Sequence, residues 1–150
     1  ALFLYERVQE ATGTEAATIA TLWTAYCNVM LGRSQTAALF VEKAGNFEPD
    51  QKPYSLAKMV TGKIELEALD YMDAMELLAQ AVVTADVGYN WTPELTYMVG
   101  LCYENLDLPD TAREVYKEVI LFYPDSQWSD KAQEATLRLP PPAPKEEPAS

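Results

Sequence analysis

The sequence predicts an all-α protein built of antiparallel helix pairs, and three observations carry that prediction. Strong helix formers (Ala, Leu, Met, Glu and Lys) dominate, and no stretch alternates apolar and polar residues at period two. Helical segments separated by short breaks cover about three quarters of the chain, far above the share in ordinary globular domains. Small residues recur at Ala1, Ala37, Ala74 and Ala112, in steps of 36, 37 and 38 residues.

The elements follow in order. Ala1 to Ala11 reads as an apolar-rich helical piece closed by Thr12-Gly13. Opening ALFLYERVQE, with no initiator Met and no basic leader, the chain reads as starting inside a helix, and a fragment or processed product is expected. Thr14 is placed to cap a helix running to Gly32, and Ser34 starts a shorter one ending near Asn46, before the Pro49–Pro53 link. Tyr54–Leu69 and Tyr71–Val87 form the next pair, followed by a turn at Gly88-Tyr89-Asn90. Thr92-Pro93-Glu94 has a cap residue, a first-turn proline and a first-turn acid, so a helix to Leu106 is expected with Thr92 as its cap. Pro109–Phe122 is the next helix, ended by Pro124, and Ser126 or Ser129 caps a last one to Leu139. The segment 140–150, PPPAPKEEPAS, has five prolines and almost nothing to bury, so a disordered tail or linker is expected beyond a domain of residues 1–139. Short links make sequential helices antiparallel.

The period extends beyond the four small residues. Four positions after each come Tyr5, Val41, Leu78 and Tyr116, and three further on Val8, Ala44, Ala81 and Val119. Twelve before the last three anchors lie Ala25, Gly62 and Gly100, inside the first helix of each pair. Glycine within a helix costs about 1 kcal/mol against alanine, so Gly62 and Gly100 in one register point to close helix–helix packing.

On these residues the chain resembles the tetratricopeptide repeat family, whose unit is two antiparallel helices. In the third complete unit Gly100, Tyr103, Ala112, Tyr116 and Pro124 stand at the family's positions. In the first, Ala25, Gly32, Ala37, Val41, Ala44 and Pro49 match while Asn28 replaces the tyrosine. In the second, Gly62, Ala74, Leu78 and Ala81 match, with Glu65 for the tyrosine and Asp86 for the proline. The resemblance implies a right-handed α-solenoid of about three full repeats, with a partial N-terminal helix and a C-terminal capping helix. Tyr123-Pro124-Asp125-Ser126 followed by Ala132 further resembles repeats of bacterial periplasmic proteins of the Tol-Pal coordinator and outer-membrane-assembly lipoprotein type. That likeness favours the periplasm or cell envelope over the cytoplasm.

Composition excludes several functions. The chain has 23 acidic against 11 basic residues, a formal charge of -12, which argues against nucleic acid and suits a basic protein partner. With no histidine, imidazole acid–base chemistry and His-containing metal sites are excluded. No apolar run approaches the roughly 20 residues a bilayer helix needs. The two cysteines, Cys27 and Cys102, fall at equivalent positions of separate units and read as buried packing residues, too far apart to bridge. The acidic pairs Asp70/Asp73, Glu65/Glu67 and Asp107/Asp110 read as solvated surface, and no glycine-rich phosphate loop occurs. No catalytic residue, cofactor or metal is expected.

What remains is a surface. In the architecture the resemblance implies, the first helix of each unit lines the concave face, which places Leu22, Tyr26, Met30, Met59, Lys63, Tyr97, Leu101 and Glu104 there. Flanking groove positions are Ile19, Val29, Leu56, Leu66, Glu67, Glu94 and Asn105. Trp91 reads as a staple on the helix that follows it, and Trp128 as part of the terminal cap. The first complete unit's leading helix is apolar nearly all round, which fits cover by additional N-terminal repeats or another domain, a ligand or oligomer surface, or an ordinary core. The expected function is a non-catalytic protein-interaction scaffold that binds a peptide segment or partner subunit through its concave face, with a role in assembling a bacterial envelope complex. The alternatives are a structural spacer or self-assembly unit, and an accessory repeat domain of a larger protein.

Overall fold

A computed structural model describes residues 15–146 and 148; the expected helix over 1–11, with Ala1, Tyr5 and Val8, and the Thr14 cap lie outside the described residues. Seven α-helices and no strand occur among the described residues: α1 Glu15–Met30, α2 Ser34–Ala44, α3 Pro53–Glu67, α4 Tyr71–Thr84, α5 Thr92–Asn105, α6 Pro109–Phe122 and α7 Gln127–Arg138. Among the described residues each predicted break falls where expected, to within a few residues.

Pairs α1/α2, α3/α4 and α5/α6 pack internally, and α7 packs on α6 as a terminal element. The first helices also touch in series, α1 with α3, α3 with α5 and α5 with α7, whereas α2, α4 and α6 make no contact with one another. The side on which neighbours touch has the shorter arc, so α1, α3, α5 and α7 line the inner face of an α-solenoid.

Small residues set the spacing within each pair. Ala25, Ala37, Ala74 and Ala112 have no accessible surface. A Cβ built on Gly62 would lie 2.7 Å from Leu78 Cδ2, and one on Gly100 would clash with the edge of the Tyr116 ring, 2.7 Å from Cδ1. Both glycines face the large residue sixteen positions on, so the shared register has packing as its cause. One core cluster runs through α1–α5 and a second through α6 and α7, with Tyr103 packed against both.

The turn within each pair repeats as well. Gly32, Leu69 and Asp107 occupy equivalent positions, and all three are left-handed, with φ of 73°, 60° and 61°. The next amide in each case donates back five residues, Arg33 to Asn28, Asp70 to Glu65 and Leu108 to Tyr103, at 2.8–2.9 Å. This is the closure that ends a helix on a left-handed residue, a role for which only Gly32 is the favoured type.

Two expectations need correction. Thr92 is not the cap of α5: Trp91 stands there without a side-chain cap bond, and the Thr92 hydroxyl donates to the Asp86 carbonyl at 2.6 Å. Ser126 does cap α7, accepting from the Ser129 amide at 3.3 Å. Cys27 is only half-buried, unlike Cys102. Among the described residues beyond α7, the Pro140 carbonyl accepts from Arg113 and the Ala143 amide donates to Asp110.

Candidate partner-binding groove

The inner face carries a groove of about 240 Å³ between α3, α5 and α7. Lys63, Leu66 and Glu67 of α3 form one wall, and Tyr97, Leu101 and Asn105 of α5 the other, with Trp128 of α7 closing one end. The Tyr97 ring lies 5.7 Å from that of Tyr116 and 5.5 Å from that of Trp128, so it is held by both α6 and α7. Asn105 donates to the Leu101 carbonyl at 2.8 Å.

Beside the groove is a clamp. Glu94, 4% exposed, accepts from the Tyr26 hydroxyl at 2.9 Å on each carboxylate oxygen and pairs with Lys63 Nζ at 3.0 Å. Lys63 Nζ also lies 5.1 Å from the Tyr26 ring centroid, a cation–π distance. One residue each from α1, α3 and α5 thus meets at a buried charge pair. Burial, and then the negative Glu94, hold the Tyr26 phenol well above its usual range.

A second polar junction ties on the terminal helix. Glu104 accepts from Tyr116 at 2.6 Å and from Arg138 at 2.6 and 2.9 Å, the bidentate geometry of a guanidinium on a carboxylate. Burial pushes the Glu104 carboxyl up, but the hydrogen bonds from Arg138 and Tyr116 outweigh it and leave the carboxyl below its ordinary value.

The structure sorts the eight expected inner-face residues. Lys63, Tyr97 and Leu101 line the groove. Tyr26 and Glu104 sit on the inner side but are committed to Glu94 and Arg138. Met30 is exposed at the far end of α1, 62% accessible. Leu22 and Met59 are corrections: both have no accessible surface, because the inner helices also pack on one another and turn these positions into the seams. Leu56 and Val29 are buried likewise. Residue reading did not find Trp128 and Tyr71 as groove residues, since their place depends on how α7 and α4 dock. Trp91 is a core residue linking two units: it is 3% exposed and its Nε1 donates to Ser55 Oγ at 2.9 Å.

Burial alone pushes the Cys102 thiol up to about 11, away from the thiolate form. Carboxylates of Glu65, Asp70 and Asp73 gather within 4.8 Å at the α3–α4 turn, where Asp70 caps α4 and its charge raises the Asp73 carboxyl. That gathering was not apparent from sequence pairs, because Glu65 joins it only when the turn closes.

Residues 95–126, nearly all of α5 and α6 with the link beyond, match the tetratricopeptide repeat family. No match to the chain was found among the curated proteins or among the solved structures. The chain is an α-solenoid of helical repeats, one unit of which, 95–126, is similar to the tetratricopeptide repeat.

Proposed function

We propose that the chain is a non-catalytic interaction scaffold that takes a peptide segment of mixed apolar and basic character into the α3–α5–α7 groove. The observation that carries this reading is the groove's chemistry. Leu66, Tyr97, Leu101 and Trp128 offer apolar surface, Lys63 is neutralised by Glu94, and the exposed Glu67 carboxylate has no ion-pair partner among the described residues. A segment placing an apolar side chain against Tyr97 and Leu101 would bring a Lys or Arg to Glu67. The overall charge of -12 adds long-range steering of the same sign. The match of 95–126 to a protein-interaction repeat supports the same reading.

A role in assembling a bacterial envelope complex is the finer proposal, resting on the resemblance at Tyr123–Ser126 and Ala132. The test is fluorescence anisotropy of a peptide library, half basic-apolar and half acidic-apolar, against the chain and its Leu101→Asp and Glu67→Lys variants. Basic-apolar peptides should bind, Leu101→Asp should abolish binding, and Glu67→Lys should shift preference towards acidic peptides. Equal affinity of all three folded proteins for the same peptides would sink the groove. The spacer reading is favoured instead by the exposed Leu31, Leu69 and Leu108 at successive turns of one edge; it predicts no peptide binding and self-association abolished by charging that edge.

A further inference from the structure

We infer that the cleft between α2 and α3, which is separate from the inner groove, binds a small organic cation with an apolar body. A short helix opens this cleft. By the repeat, α2, α4 and α6 begin in register at Ser34, Tyr71 and Pro109. Both α4 and α6 run for 14 residues, whereas α2 stops after 11, short by most of a turn. Gly45 stops it: its φ of 102° is left-handed, and its amide closes on the Glu42 carbonyl at 3.1 Å. Val41 stands where Leu78 and Tyr116 have no accessible surface in the later units, and it is only half-buried. As a result α2 packs on α3 less extensively than α4 does on α5.

The cleft has two lobes that share Val41, Gly45, Asn46 and Thr61, and no described residue lines both it and the inner groove. The first lobe, about 390 Å³, has Ala38 and Ile64 as apolar walls and Glu42 and Glu65 as its charged residues. Neither carboxylate is in an ion pair among the described residues, and Asp70 and Asp73 bring theirs within 4.8 Å of that of Glu65. The Thr61 hydroxyl donates to the Ala57 carbonyl at 2.9 Å, so towards a ligand its oxygen can only accept. Glu42, Glu65 and Thr61 thus offer acceptors and negative charge, which suits an ammonium group. The second lobe, about 200 Å³, has Phe47, Ala57 and Leu77 to cover an apolar body. Its cation, Lys58, lies with Nζ 5.5 Å from the Tyr54 ring centroid. Separating the two signs of charge sets the orientation, with the head at Glu42 and Glu65 and the body towards Phe47.

Three probes with one body separate charge from burial: phenylbutylamine, phenylbutanol and phenylbutanoate. Each is titrated into the isotope-labelled full chain, and backbone amide shifts are followed by NMR. The amine should shift Gly45 and Thr61 and bind at least about tenfold tighter than the alcohol, with the carboxylate weakest. The double variant Glu42→Gln, Glu65→Gln changes only exposed and half-buried side chains, so it should keep the wild-type fold and lose the preference for the amine. Equal affinity for amine and alcohol would overturn the inference, as would a preference unchanged in the double variant. So would the absence of any shift at Gly45 and Thr61. Shifts confined to Tyr97 and Leu101 would overturn it by placing the cation in the inner groove, and shifts confined to Asp70 and Asp73 by placing it at the acidic turn.

Discussion

The Tyr26 hydroxyl and the Glu94 carboxylate meet across 68 residues of chain, with both carboxylate oxygens 2.9 Å from the phenol oxygen. Lys63 reaches the same carboxylate from the helix between them, so three successive inner helices share one buried ionic contact. A contact of this kind sets the relative placement of the units more than it adds stability, because desolvation offsets much of the Coulombic gain.

Removing one member leaves the others buried and under-satisfied. Lys63→Met should destabilise the fold by about 3 kcal/mol, the cost of an uncompensated buried carboxylate. Tyr26→Phe should cost less, about 1.5–3 kcal/mol, as one charge-assisted hydrogen bond is lost. Urea unfolding of both single variants and the double variant measures their coupling. Additive losses would show that the three groups do not act as a unit.

The two helix glycines should not respond alike to alanine. At Gly62 the obstacle is the aliphatic Cγ and Cδ2 of Leu78, which no hydrogen bond holds in place, so Gly62→Ala should stay within about 1 kcal/mol of wild type once helix propensity is credited. At Gly100 the obstacle is the Tyr116 ring, held by its bond to Glu104, and Gly100→Ala should cost about 1–3 kcal/mol. Thermal melts of the two variants decide the ranking.

The turn residues offer a gain. Leu69 holds a left-handed conformation that costs a bulky side chain about 1–2 kcal/mol, partly offset in glycine by its greater unfolded-state entropy. Leu69→Gly should therefore raise the urea midpoint, and Asp107→Gly should raise it less because Asp tolerates this region. Gly32→Ala should lower it. A fall in stability for Leu69→Gly would mean that its side chain contributes packing its exposure does not suggest.

Glu104 predicts an acid limb. Its carboxyl is held below the ordinary range when folded, so its pairing stabilises the protein above the unfolded value of about 4.3. That contribution is lost as pH falls through the lower folded value. Glu104→Gln should lower stability near pH 7, by under about 1 kcal/mol for so accessible a pair, and should flatten the decline below pH 4. Denaturation at pH 7, 5, 4 and 3 tests it, and parallel curves for the two proteins would rule the pair out.

Local chemistry and repetition were enough to specify the helices and their pairing. Proline breaks, the Ser126 cap and the recurrence of Ala37, Ala74 and Ala112 each act within one unit, and a register of small residues has one economical cause. The inner-face assignment was only partly legible. Leu22 and Leu101 look alike in sequence, yet one is sealed in a seam between helices and the other is half-open in a groove, since the difference arises from the angle at which neighbouring units meet. The same holds for Glu94, which reads as a surface acid at a helix start. Only the tertiary structure brings Tyr26 and Lys63 to it, because hydrogen bonds between residues 31 and 68 positions apart depend on the superhelical path and leave no local pattern. Leu69 and Asp107 show the converse: their left-handed backbone is imposed by the closure of a turn whose side-chain preference the sequence does not follow.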